Sequence, residues 1–166
     1  MAGNVLFLCT GNICRSPVAE AVARQMYGAQ GITFSSAGLD ARDGLPASLD
    51  SAVYALETGT SLDDHTSRPV TGAILAEVSW VIGMTRSHGA IFKSRFGKTF
   101  EGHIGVLGAP GVDLASLAHS PDEEEVDDPY GGPTASYMEA CEQIRRLLAG
   151  WDACFRELTG GKETTS

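Results

Sequence analysis

Apolar positions fall along this chain in two patterns. One is the continuous run, clearest in Val5-Leu6-Phe7-Leu8-Cys9. A stretch apolar at every position reads as a strand buried on both faces, as in a parallel sheet. Strands are predicted at Asn4–Cys9, Ile32–Ser36 and Val78–Met84, with a fourth inside Lys98–Val106. The other pattern repeats every three to four residues, as in Ala19, Val22, Ala23 and Met26 within Ser16–Tyr27. It returns in Tyr137, Cys141, Ile144, Leu147, Leu148 and Trp151 within Pro133–Phe155, read as one long last helix. Two more helices are predicted over Pro46–Glu57, ended by Gly59, and Ser87–Phe96, ended by Gly97. Strands alternating with helices give a parallel sheet covered by helices on both faces, an α/β single domain. Such sheets bind ligands at the carboxyl ends of their strands, near a switch in strand order. Cys9 stands at such an end.

Gly105–Asp127 breaks the alternation. It contains Ala109-Pro110-Gly111 and the acidic run Asp122-Glu123-Glu124-Glu125, and reads as a long loop with a short helix at Asp113–Ala118. The acidic run reads as a solvated face; the competing reading is that it repels acidic substrates. No internal repeat is present. Residues 1–158 form the predicted domain, and Thr159–Ser166 a disordered tail.

The chemistry concentrates in Cys9-Thr10-Gly11-Asn12-Ile13-Cys14-Arg15-Ser16-Pro17. A strand ends at a cysteine, a short loop follows, and Ser16-Pro17 open a helix. A loop entering a helix N-terminus gathers backbone N–H groups around one point, a geometry that binds a tetrahedral oxyanion. The same positive end favours a thiolate at Cys9. Arg15 adds a planar fork suited to two phosphate oxygens. Either residue alone reads more readily as structural. Their spacing, with Gly11, Asn12 and Ser16 between and beside them, reads as an anion cradle with a nucleophile pointing into it.

Charge and cysteine content narrow the partners. The 166 residues carry a formal net charge of −9, which argues against nucleic acid. An acidic protein that binds an anion needs a local positive site, and the Arg15 loop supplies one. Four Cys, one of them the candidate nucleophile, fit a reducing cytoplasm rather than a disulfide scaffold. No apolar run is long enough to span a membrane, and Met1–Asn4 lead straight into the first strand, leaving no room for a signal peptide. His88, His103 and His119 show no ligand spacing, so neither metal nor cofactor is expected.

Residues 9–22, CTGNICRSPVAEAV, resemble the active-site loop of the low-molecular-weight protein tyrosine phosphatases. The resemblance continues in order through Ser36-Ala37-Gly38, His65-Thr66-Ser67-Arg68 and Asp128-Pro129-Tyr130-Gly131, over roughly residues 4 to 156. It implies four parallel strands in the order 2-1-3-4. It implies a monomeric enzyme that hydrolyses phosphotyrosine in proteins through a phosphocysteine on Cys9, with Arg15 and the loop residues Thr10, Gly11, Asn12, Ile13 and Cys14 around the phosphate. Asp128 is then the general acid, and Asn12, Ser16 and His65 the supporting network. Cys14 would form a reversible bridge with Cys9, loop packing being the equal alternative. The pocket wall is Tyr130 and, counting from Ser36-Ala37-Gly38, Arg42, where relatives carry an aromatic or aliphatic residue. Three other functions share the loop. A protein-arginine phosphatase resembles Asp128-Pro129-Tyr130-Gly131-Gly132 but carries Thr at the position of Ile13. A thioredoxin-linked arsenate reductase needs resolving cysteines after the third strand, and no Cys lies between Cys14 and Cys141. A non-catalytic phosphate-binding module would not need both Cys9 and Asp128.

Overall fold

The computed structural model describes residues 3–116 and 124–160. Its strands are β1 (Asn4–Cys9), β2 (Thr33–Gly38), β3 (Trp80–Gly83) and β4 (His103–Val106). Its α-helices are α1 (Arg15–Tyr27), α2 (Leu49–Glu57), α3 (Gly72–Leu75), α4 (Arg86–Phe96), α5 (Thr134–Ala149) and α6 (Asp152–Leu158). The strands form one parallel sheet in the order β2-β1-β3-β4. β1 is central, and its apolar run is divided by the pleat. Val5, Phe7 and Cys9 face the layer of α1, α5 and α6, while Leu6 and Leu8 face Phe92 of α4 and Leu75 of α3. Both layers are buried, which is why this strand is apolar at every position.

The strand order switches between β1 and β3, so the carboxyl end of β1 opens where its neighbours' connections diverge. The β1–β2 ladder runs past the strands: Leu39 N–H donates to Cys9 O at 2.9 Å and Asp40 N–H to Thr10 O at 3.0 Å. Gly38 makes this approach possible, since a Cβ there would lie 2.6 Å from Thr10 O and 3.1 Å from Asn12 N.

Three features depart from the expected elements. The last helix is two, α5 and α6, broken at Gly150-Trp151. The break seats the fully buried Trp151 against Phe155 and Trp80 and lets its Nε1–H donate to Leu107 O at 2.9 Å. Packing a large indole there outweighs helix continuation at a glycine, the weakest helix former after proline. The short α3 had no periodic signal, being one turn capped by Thr71. Of the expected helix at Asp113–Ala118, Leu114–Ser116 forms a 3₁₀ turn, and its last two residues lie outside the described residues. Asp122, Glu123 and His119, and all but the first two residues of the expected tail, also lie outside them.

The described part of the acidic run is tied down rather than merely solvated. Arg146 holds Glu124 by two nearly parallel bonds of 3.0 and 2.7 Å. Glu125 Oε1 accepts the Arg86 N–H at the start of α4 at 2.9 Å. These contacts anchor the segment that leads to Asp128.

Candidate active site

The loop from Cys9 to Arg15 is shaped by what its carbonyls bind. Cys9 O and Thr10 O accept from Leu39 and Asp40, and Ile13 O accepts from Ser48 N–H at 2.8 Å. Cys14 O accepts from Ser51 Oγ at 3.2 Å, and Asn12 O from His65 Nε2 at 2.8 Å. In a trans peptide the N–H points opposite to the C=O. With these five carbonyls turned outward, the amides of Thr10, Gly11, Ile13, Cys14 and Arg15 turn inward around one cleft. Its volume is about 210 Å³; Cys9–Arg15 form its floor and Asp128 and Tyr130 its side.

Asn12 holds the turn. Among the described residues it is the only non-glycine with positive φ, at 56°, in the left-handed region that asparagine tolerates better than most side chains. Both polar atoms of its fully buried side chain are bonded. Nδ2–H donates to Ser16 Oγ at 2.8 Å and Ser36 Oγ at 3.0 Å, and Oδ1 accepts the Arg68 N–H at 3.1 Å. Ser16 Oγ, already accepting from Asn12, has its hydrogen left for Cys9 Sγ at 2.9 Å. The Asn12 N–H donates to the same sulfur at 3.2 Å. Two donors thus converge on Cys9, which is 3% exposed at the foot of the cleft. Donors aimed at sulfur stabilise its anionic form.

Arg15 is buried, with Nη1 donating to Val126 O at 2.9 Å and Nη2 lying 3.7 Å from Asp128 Oδ2. Asp128 is half exposed, and its Oδ1 accepts the Tyr130 N–H at 3.1 Å in a local turn that fixes the carboxylate. Tyr130 is 69% exposed at the mouth. The Cys14 thiol donates to Tyr137 OH at 3.9 Å, and burial pushes its pKa up, as it pushes Cys141 up to about 12. Both thiols are buried, Cys14 within the loop itself and Cys141 on α5.

The structure therefore brings Cys9 to Ser16, His65, Asp128 and Tyr130 together. It leaves Arg42 out of the cleft lining. Arg42 is exposed, because Ser67, buried on the facing segment, pins the turn that carries it: Ser67 Oγ donates to Arg42 O, and the Ser67 and Leu45 backbones pair at 2.8 Å. Two groups were not singled out from the sequence. One is the Val126 carbonyl on Arg15, a main-chain partner with no side-chain signature. The other is His88, whose Nε2 lies 3.1 Å from Thr10 Oγ1. Its signal was the spacing Thr85-x-x-His88 just after β3, an N-cap pattern.

A family model for low molecular weight phosphotyrosine protein phosphatase matches residues 4–159. A probable low molecular weight protein-tyrosine-phosphatase, EpsP of Ralstonia nicotianae, is 28% identical over 159 residues, covering 95% of this chain and 99% of that protein. A protein-arginine-phosphatase of Bacillus subtilis is 30% identical over 147 residues, covering 87% and 91%. The crystal structure of a low molecular weight protein tyrosine phosphatase from T. tengcongensis superposes with a TM-score of 0.76 at 29% identity, over 90% of this chain and 97% of that one. With the sulfur, cradle and carboxylate in one cleft and the match running along nearly the whole chain, this protein belongs to the low molecular weight phosphotyrosine protein phosphatase family.

Proposed function

We propose that this chain hydrolyses phosphotyrosine in proteins through a phosphocysteine on Cys9. The observation that carries the reading is the Cys9 sulfur, met by two donors at the foot of a cleft whose side bears the Asp128 carboxyl. The thiolate attacks phosphorus and the P–O bond to the tyrosyl oxygen breaks, the proton coming from Asp128. Asp128, now a carboxylate, takes a proton from water as the water attacks the thiophosphate. The S–P bond breaks, inorganic phosphate leaves and the thiolate is restored. The inward amides and Arg15 hold the three equatorial oxygens, where charge spreads during transfer. Asn12, Ser16 and His65 keep the cradle in shape, and Tyr130 walls the aryl ring. A thiolate nucleophile works only where thiols stay reduced, which supports a cytoplasmic setting. The cleft is complete within one chain and needs no residue from a second copy.

Ile13 supports tyrosine over arginine. It is part of the cleft lining and only partly buried, so a branched apolar side chain borders the bound phosphoryl group. A flat aryl ester packs against it, whereas a phosphoguanidine leaves N–H groups facing carbon, at a cost on the order of 1–3 kcal/mol. The second reading, a protein-arginine phosphatase, is favoured by Asp128-Pro129-Tyr130-Gly131-Gly132. Turnover of matched phosphotyrosine and phosphoarginine peptides, measured side by side, separates the two. Faster release of phosphate from phosphoarginine would replace the first reading with the second.

A further inference from the structure

His88 is a buried titratable group beside the cleft that the mechanism above does not use. It is the third residue of α4, in a capping box with Thr85: its N–H donates to Thr85 Oγ1 at 3.3 Å, and its Nδ1 accepts the Thr85 N–H at 3.2 Å. With Nδ1 committed as acceptor, the neutral ring carries its hydrogen on Nε2, which therefore donates to Thr10 Oγ1 at 3.1 Å. Burial, and then the nearby Arg15 guanidinium, lower its pKa to about 4, while Asp128 opposes them. The ring is thus neutral at ordinary pH and adds no charge beside Arg15. The approach is built into the strand end. Gly83 closes β3, and a Cβ there would lie 2.9 Å from His88 Cβ and 2.9 Å from Thr85 O.

Thr10 follows the nucleophile and is part of the cleft lining. Its carbonyl is held by Asp40, and His88 takes one lone pair of its hydroxyl. A hydroxyl that accepts from a fixed donor keeps its own hydrogen free. We propose that His88 is a positioning residue of the phosphate loop: its Nε2–H fixes the Thr10 hydroxyl so that Thr10 donates its hydrogen to an oxygen of the bound phosphoryl group. His88 touches neither substrate nor sulfur and acts only through Thr10. The inference rests on the phosphatase reading, and it names a specific side-chain donor in a cradle otherwise made of amides and Arg15.

The test is a double-mutant cycle on an aryl phosphate, with kcat, KM and vanadate inhibition measured for Thr10→Val, His88→Ala and the pair. Loss of one hydrogen bond to a charged phosphoryl oxygen in the transition state predicts a fall in kcat of about tenfold or more for Thr10→Val and somewhat less for His88→Ala, with KM nearly constant. The double variant falls no further than the worse single one. Thr10→Ser, which keeps the hydroxyl, and His88→Gln, which keeps an N–H near the same place, each recover most of the loss. Additive effects, or Thr10→Val turning over like wild type, overturn the proposal. Should His88→Ala fail to fold, His88→Phe, which fills the site without an N–H, takes its place in the cycle. A wild-type protein inactive on every aryl phosphate would instead sink the phosphatase reading itself.

Discussion

Replacing Asn12 by alanine removes three buried hydrogen bonds at once, those to Ser16, Ser36 and the Arg68 N–H. At ~1 kcal/mol each they amount to about 3 kcal/mol. Alanine must also hold the φ of 56° that asparagine tolerates, which adds about 1 kcal/mol. The expected loss is about 4 kcal/mol, or a fall in Tm of roughly 8–16 °C for a chain of this size. Asn12→Gly loses the same bonds without the backbone strain. Urea titration should therefore find it about 1 kcal/mol more stable than Asn12→Ala, an inversion of the usual ranking of glycine and alanine. Both variants should lose most activity, because the Asn12 N–H and the orientation of Ser16 serve the Cys9 sulfur. An alanine variant destabilised by less than about 1 kcal/mol, or more stable than the glycine variant, would refute the claim that Asn12 holds the loop by its side chain and backbone together.

Cys9→Ser should abolish hydrolysis while still binding phosphate or vanadate, measured by calorimetry, because amides and Arg15 make the cradle; more than a trace of turnover would exclude the covalent route. Asp128→Ala should slow phosphotyrosine ~10²–10⁴-fold but an activated aryl phosphate far less, with Asp127→Ala mild; equal slowing of both substrates would remove Asp128 as the acid. Ile13→Thr should move the ratio of phosphoarginine to phosphotyrosine turnover up by roughly tenfold, corresponding to about 1.4 kcal/mol; an unchanged ratio would clear Ile13 of any part in selection. His88 has its folded pKa lowered from 6.5 to about 4, so the unfolded chain binds the extra proton between those values and stability falls as pH drops through that window. Full protonation costs up to about 3 kcal/mol. Glu20, raised by burial, acts in the opposite direction, so the comparison is wild type against His88→Gln: the variant should show the shallower loss between pH 6.5 and 4.

What the chain revealed unaided was mostly local. The run to Cys9, the loop and the helix opening at Arg15 lie within a few turns of one another, so spacing alone specified the cradle. The alternating elements likewise gave the sheet, because β1 is buried on both faces and shows it at every position. What stayed hidden depends on distant partners. Counting from Ser36-Ala37-Gly38 puts Arg42 at the pocket, but its turn is set by Ser67, 25 residues away. Arg15 is oriented by the carbonyl of Val126, and any residue there supplies a carbonyl. Glu124 reads as part of a solvated run, but Arg146, distant in sequence on α5, clamps it. The break at Gly150 follows from the burial of Trp151, a tertiary demand that helical periodicity does not record.

The central claim is a covalent phosphoryl group on one sulfur. It is tested most directly by mixing Asp128→Ala with an activated aryl phosphate, quenching within the first turnover and mapping the modified residue by mass spectrometry. Loss of Asp128 slows attack by water on the thiophosphate but hardly slows departure of a leaving group that needs no proton, so the adduct should accumulate. One added phosphoryl group is expected on the peptide containing Cys9, absent when Cys9→Ser is combined with Asp128→Ala. Turnover with an unmodified Cys9 peptide, or a phosphoryl group carried on any other residue, would contradict it.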